Sequence, residues 1–387
     1  MRSLGLVLLL ARARGAIQGL KGVACVNPMY SNGLDGCVFA NDNTREVCWL
    51  DLASREAFLM PGDYDRPHEV AITRDGSLVV VADWYGGTLT KITPNDAGAG
   101  ATFTQVSSSA TVLPDEAARA GFWKGAGPDA VEIAEDGRRA YVSLDTLGAV
   151  ASVDLATGTS WLLVGGGSLS EPHGVTLRRG AAPTALVGVT YWKDAQPPRS
   201  EVYELTPTGN ITILQTGPAH SHYHDIVYLY DDVYALLDRN LNAVLLYDRG
   251  TGSTTLLAGA PDGLRGFTDG WGREVRFDDP HAITRYDNVS LVVADTRNVA
   301  LRRVHFRGPR FGHVETIAKF SSNDLSCPIL AADTMAIGTA ALVEQSPQRG
   351  HASSSSARVP CLVVAGAAAA AVAFVRRRRN RAYASLG

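Results

Sequence analysis

Between residues 22 and 320 the apolar positions fall in short runs rather than helical stripes. A polar turn, Arg74-Asp75-Gly76, leads into Leu78-Val79-Val80-Val81-Ala82-Asp83; a second turn, Trp84-Tyr85-Gly86-Gly87, leads into Leu89-Thr90-Lys91-Ile92. The order returns in Ala282-Ile283, Asp287-Asn288, Leu291-Val292-Val293-Ala294-Asp295 and Val299 to Val304. Runs rich in β-branched residues, cut by Gly, Asn and Asp and lacking a 3.6-residue period, predict strands.

One phrase opens each set: Arg66-Pro67-His68-Glu69-Val70, Gly127-Pro128-Asp129-Ala130-Val131, Glu171-Pro172-His173-Gly174-Val175 and Asp279-Pro280-His281-Ala282-Ile283, with Tyr223-His224-Asp225-Ile226 as a fifth form without proline. Recurrence at about 40 to 60 residues is the mark of a repeat architecture. Four strands per unit make a blade, so the expectation is an all-β, six-bladed propeller over residues 20–335, with units beginning near Gly22, Pro67, Pro128, Pro172, His224 and Pro280. The pattern resembles NHL repeats. Its most specific stretch runs from Leu257-Ala258-Gly259 through Gly266-Phe267-Thr268-Asp269-Gly270 to Arg276-Phe277 and Pro280-His281-Ala282-Ile283, similar to a blade-to-blade junction of that family. Cys327 to Asp333 and Ala336 to Val343 read as two further strands, completing the first blade or beginning another.

The ends read differently. Residues 1–13 have a charged start, a short apolar core and a small-x-small site, as in a secretory signal. A polar stalk, 336–358, precedes 17 uncharged residues, Val359 to Val375, and an arginine-rich tail, 376–387. These predict one transmembrane helix with the arginines on the cytoplasmic side and the propeller extracellular or luminal, a single-pass type I membrane protein. The chain carries 39 acidic and 36 basic residues. Nine arginines and no acids lie outside 17–357, which leaves the domain near −12. Such a charge argues against nucleic acid as a partner.

Four cysteines fall outside the apolar span. Cys37 and Cys48 flank a turn at Asp42-Asn43 at equal distances, and Cys25 and Cys327 sit at the two ends of the ring. Pairs Cys37–Cys48 and Cys25–Cys327 are expected, in keeping with an oxidising compartment. Sequons at Asn210-Ile211-Thr212 and Asn288-Val289-Ser290 fall in expected turns and make the chain a candidate glycoprotein.

The repeated phrase has a geometric consequence. It opens the strand that lines the channel, so His68, Asp129, His173, His224 and His281 converge on one axis, with His220 and His222 close by. Imidazoles with a carboxylate suit zinc or another divalent ion. His68, His173 and His281 come from alternate blades, and approximate threefold symmetry would aim them at one point, with His224 and Asp129 secondary. This resembles the peptidyl-α-hydroxyglycine α-amidating lyases, whose zinc is held by histidines in similar phrases. By that resemblance the three histidines would be ligands of an ion that polarises a substrate hydroxyl. The other reading is a histidine that hydrogen-bonds at the blade edge. Asp83, Asp145, Asp238 and Asp295 close the second strands and read as turn residues. No Gly-x-Ser-x-Gly, P-loop or His-Glu-x-x-His occurs. Trp84-Tyr85, Tyr191-Trp192 and Phe122-Trp123 offer loop aromatics for a protein, peptide or carbohydrate ligand. The sequence thus points to a membrane-anchored binding module, with a metal-dependent lyase or hydrolase as the alternative.

Overall fold

The computed structural model describes residues 19–31, 33–94, 108–112, 125–178, 184–191, 197–260 and 262–320. They form six antiparallel sheets, five of them four-stranded meanders of consecutive strands and the sixth a four-stranded meander with one added edge strand. The innermost strands are Leu20–Val26, Pro67–Ile72, Pro128–Ile133, Glu171–Arg178, Tyr223–Tyr230 and Pro280–Arg285, one per blade. Each begins within two residues of the position expected from the repeat. The segments 1–13, 336–358, 359–375 and 376–387 lie outside the described residues, as do Cys327, Phe122, Trp123 and Trp192. Among the described residues no helix is long and apolar enough to cross a membrane.

The runs of consecutive apolar residues have a simple cause. Side chains of a strand alternate between its faces, and each blade is covered on both. Val79 and Val81 pack into the cluster shared by blades 1 and 2; Val80 and Ala82 pack into the cluster shared by blades 2 and 3. Six clusters of this kind follow one another round the ring, and the sixth joins blade 6 to blade 1. A fully buried valine contributes about 1.5–3 kcal/mol. No blade could keep these faces dry alone.

The two strands expected within residues 327–343 lie outside the described residues. Blade 1 has four strands from its own segment, ending at Ala57–Leu59, so it needs no completing strand. The first and last blades meet through side chains. Thr296 donates to the carbonyl of Leu20 at 2.5 Å, Tyr286 donates to Asp35 at 2.5 Å, Arg55 donates to the carbonyl of Ile317, and Phe39 packs on Phe320. Blade 6 gains a fifth strand, Gly270–Trp271, paired to His313–Lys319. The buried Arg302 holds that junction by donating to Asp269, Asp295 and the carbonyls of Thr268 and Arg276.

The disulfide expectation is corrected. Cys25 is bonded to Cys37, its direct partner across the first two strands, which excludes both Cys37–Cys48 and Cys25–Cys327. Cys48 is disulfide-bonded as well. The turn between the second and third strands sets a register in which Cys48 faces Phe39 and Cys37 faces Leu50, two positions away from the assumed pairing. A cross-strand pair needs direct opposition, which among the described cysteines only Cys25 and Cys37 have.

Candidate functional site at the channel mouth

Every inner strand carries a register shift at the same place. Pairing jumps between Leu20 and Val23, Pro67 and Glu69, Pro128 and Val131, Pro172 and Val175, Tyr223 and Asp225, and Pro280 and Ala282. One residue per blade is therefore left outside the ladder, and a bulge of this kind re-aims a side chain. The bulged positions carry Lys21, His68, Asp129, His173, His224 and His281. Five match the expected residues. Lys21 was not legible, because blade 1 opens Leu20-Lys21-Gly22 with neither proline nor histidine.

The strand-closing aspartates hold these bulges in place. Asp83 accepts the backbone N–H groups of Asp65 and Arg66 at 2.7 and 2.6 Å, Asp238 that of His222 at 3.0 Å, and Asp295 that of Asp278 at 2.8 Å. Each acceptor pins the residues just ahead of the bulge in its own blade, so the structural reading holds for these three, whereas the Asp145 carboxylate accepts from the Trp84 indole. Glycine lets the layers approach: a Cβ on Gly174 would sit 2.4 Å from Asp225 Cα.

Asp129 organises one half of the cluster. Its two oxygens meet His68 Nδ1 at 2.7 Å and His173 Nδ1 at 3.0 Å. Burial alone would raise its pKa, but the charge of His68 and the hydrogen bonds from both rings hold it well below the usual carboxylate range. For His173 burial pulls downward, and the bond to Asp129 and its charge outweigh that pull, so its pKa is raised. Burial, then neighbouring positive charge, drives His222, His224 and His281 well below the ordinary imidazole value, so they are neutral at neutral pH.

Tautomers follow from the partners. A carbonyl can only accept, so His224 Nδ1 donates to the carbonyl of His281 at 2.8 Å and its Nε2 keeps a lone pair. With Nδ1 donating to Asp129, the neutral form of His173 presents Nε2 as the acceptor, and that atom is buried with no hydrogen-bond partner. The rings of His173 and His224 stack at 4.8 Å and 19°, and His222 lies 4.8 Å from His173 and 5.1 Å from His224.

The candidate ligand nitrogens of His173, His222 and His224 all lie within 4.8 Å of one another. Of the alternate-blade set of His68, His173 and His281, only His173 belongs to this group. Blade 5 supplies two histidines, because the segment ahead of its bulge is drawn inward by Asp238. Asp129 meanwhile stands between His68 and His173 and takes a nitrogen from each. His68 and His281 instead meet edge to face at 4.8 Å. His220 is exposed and outside the cluster. Trp84 donates to Asp145 at 3.2 Å under the Arg66 guanidinium, whereas Tyr85 is 68% exposed beside it. Tyr191 closes its strand and hydrogen-bonds to Tyr203.

Below the cluster lie two carboxyls that the repeat did not flag. Glu69 accepts the N–H groups of Val23 and Val70 at 3.1 Å; Asp225 accepts those of Ile226 and Ile283 at 2.8 and 2.7 Å. They stitch inner strands of neighbouring blades. Burial raises both, Asp225 to about 7, and Glu69 is raised further by the charge of Asp225. Both also line a cavity of about 970 Å³ that extends past Arg74, Arg178 and Arg285, away from the phrase-bearing ends of the strands.

No protein-family profile matches the chain, and no curated protein matches it in sequence. Solved structures are similar to it. One is a structural genomics protein of unknown function from Bacteroides thetaiotaomicron, with TM-score 0.52 and 14% identity over 75% of this chain and 70% of that one. Another is the hydrazine synthase of Kuenenia stuttgartiensis, with TM-score 0.52 and 13% identity over 76% of this chain and 78% of that one. At such identities the likeness concerns the propeller fold alone.

Proposed function

We propose that the chain is a propeller binding module whose channel mouth holds a divalent transition metal, zinc in the first instance, on His173, His222 and His224. The observation that carries the reading is the convergence of their ligand nitrogens within 4.8 Å. The bonds that leave Nε2 of His173 and His224 as lone-pair donors support it, because ligating imidazoles are oriented in this way by carboxylates and carbonyls. A tetrahedral zinc with Zn–N near 2.0–2.1 Å wants nitrogens about 3.4 Å apart, within reach of small side-chain rotations. Three protein ligands leave a fourth position for a ligand. Metal analysis of the purified full chain is the test. One equivalent of zinc is expected in the wild type and a small fraction of that in His222→Ala; a metal-free wild type after zinc loading sinks the reading.

A lyase or hydrolase is the second reading. It is favoured by the buried Asp225 carboxyl, which follows His224 in the chain and is pushed up to about 7. Zinc-dependent cleavage of an α-hydroxyglycine-extended peptide would support it, and no turnover by the loaded protein would leave the binding module alone. An extracytoplasmic, membrane-anchored placement belongs to the same proposal; the Cys25–Cys37 disulfide supports its oxidising side.

A further inference from the structure

Three cysteines fall within the described residues, and all three are disulfide-bonded. Cys25 and Cys37 are bonded to each other, so the partner of Cys48 is neither of them. The chain has 5 cysteines, which leaves Cys327 and Cys361. Burial rules out a cross-link to a second chain: Cys48 is 1% exposed, inside the apolar cluster that joins blade 6 to blade 1. Position chooses between the two candidates. Cys48 lies directly opposite Phe39, whose ring is 5.1 Å from that of Phe320, the last described residue. Cys327 follows Phe320 by 7 residues, a reach of about 25 Å at full extension. Cys361 follows it by 41 and falls in the uncharged run Val359 to Val375, which is expected to lie in a bilayer. Loop closure alone, scaling as the 3/2 power of length, disfavours the longer connection roughly 14-fold.

We infer that Cys48 is bonded to Cys327 and that this disulfide is a redox-sensitive clasp across the seam of the ring. Cys48 stands on the third strand of blade 1, Glu46–Asp51, and Cys327 follows the last strand of blade 6, His313–Lys319. The bond closes a loop that contains blades 2 to 6, and a cross-link constrains the unfolded chain more as its loop lengthens. The described contacts of the seam are weaker, hydrogen bonds such as that of Thr296 to Leu20 and the packing of Phe39 on Phe320. The Cys25–Cys37 pair, by contrast, ties two neighbouring strands of one blade. Forming the clasp takes one proton and one electron from each thiol. A disulfide of the compartment, oxidised glutathione or a disulfide oxidoreductase, accepts both pairs and leaves as two thiols. Cys361 keeps its thiol.

Peptide mapping of the full chain, purified from a secretory host with its thiols blocked, tests the pairing. Trypsin places Cys48 in residues 46–55, Cys25 and Cys37 together in 22–45, Cys327 in 320–349 and Cys361 in 359–376. Without reductant, 46–55 is expected linked to 320–349, with Cys361 carrying the blocking group. A link from 46–55 to 359–376, to 22–45 or to a second copy of itself, or a blocked Cys48, overturns the inference. The clasp is read by hydrogen exchange in Cys327→Ser. Exchange of the seam strands Leu20–Val26 and Ala300–His305 should accelerate by about tenfold or more, while Ala149–Asp154 and Thr184–Tyr191 stay within about threefold of wild type. Cys361→Ser should match the wild type throughout. Unchanged exchange at the seam in Cys327→Ser overturns the clasp. If that variant does not fold, the wild type with and without reductant gives the same comparison at Ala300–His305, a strand the Cys25–Cys37 bond does not join.

Discussion

Asp129 accepts the Nδ1 proton of His173 at 3.0 Å, and this one bond decides which nitrogen of His173 faces the cluster. Without it the ring could hold either tautomer, in either orientation. Asp129→Ala is therefore expected to weaken zinc binding by roughly 10–100-fold while the fold persists, as removal of such orienting partners does. A competition titration with a chromophoric chelator measures this, and an unchanged dissociation constant would remove Asp129 from the site.

His68 separates the proposed ligand set from the threefold one. Its imidazole is bonded to the same carboxylate but is not among the three converging rings. His68→Ala should retain one equivalent of zinc with affinity reduced less than about tenfold. Loss of the metal in this variant would restore the alternate-blade arrangement.

Asp238 gives the molecule a signed response to pH. Burial lifts its carboxyl from 3.8 to about 6, against the pull of the Leu241 and His222 N–H groups. The folded state binds the proton more tightly than the unfolded chain does. The stability this contributes is complete below about pH 4 and is lost as pH rises through 6, about 3 kcal/mol in all. Urea unfolding of wild type and Asp238→Asn at pH 4 and 7 should show the wild type losing about that much more between the two; parallel losses would contradict the shift.

Non-reducing peptide mapping should recover Cys25 linked to Cys37. Replacing both with serine removes the constraint on a loop spanning 12 residues and should lower stability by about 3 kcal/mol. Recovery of a Cys37–Cys48 peptide would overturn the register of the first blade.

The repeat was legible because every blade solves the same problem: strands covered on both faces, ahead of which a proline and a turn aspartate set up a bulge. Residues at that bulge could be found by their phrase, and five of six were. Lys21 was hidden because Leu20-Lys21-Gly22 shares none of the marker residues, and only pairing with Asn41 and Phe39 reveals the common register. His222 could be seen nearby but not ranked, since its approach depends on a backbone bond to Asp238. The disulfide was misread for a related reason: equal spacing about an assumed turn centre predicts opposition only if the turn has the assumed length. Here Asn41 pairs with Glu46, leaving four residues in the turn and moving Cys48 opposite Phe39.

The junction of blades 6 and 1 gives the mouth two mechanically unequal sides. In the described residues that junction is held by hydrogen bonds and packing, with no strand shared between the sheets. His173, His222 and His224 belong to blades 4 and 5, and their orienting carboxylate belongs to blade 3, on the arc remote from the seam. Lys21 belongs to blade 1, on the lip of the seam itself. Breathing of the ring would then act first on the lip that carries Lys21, while the three converging imidazoles keep their spacing.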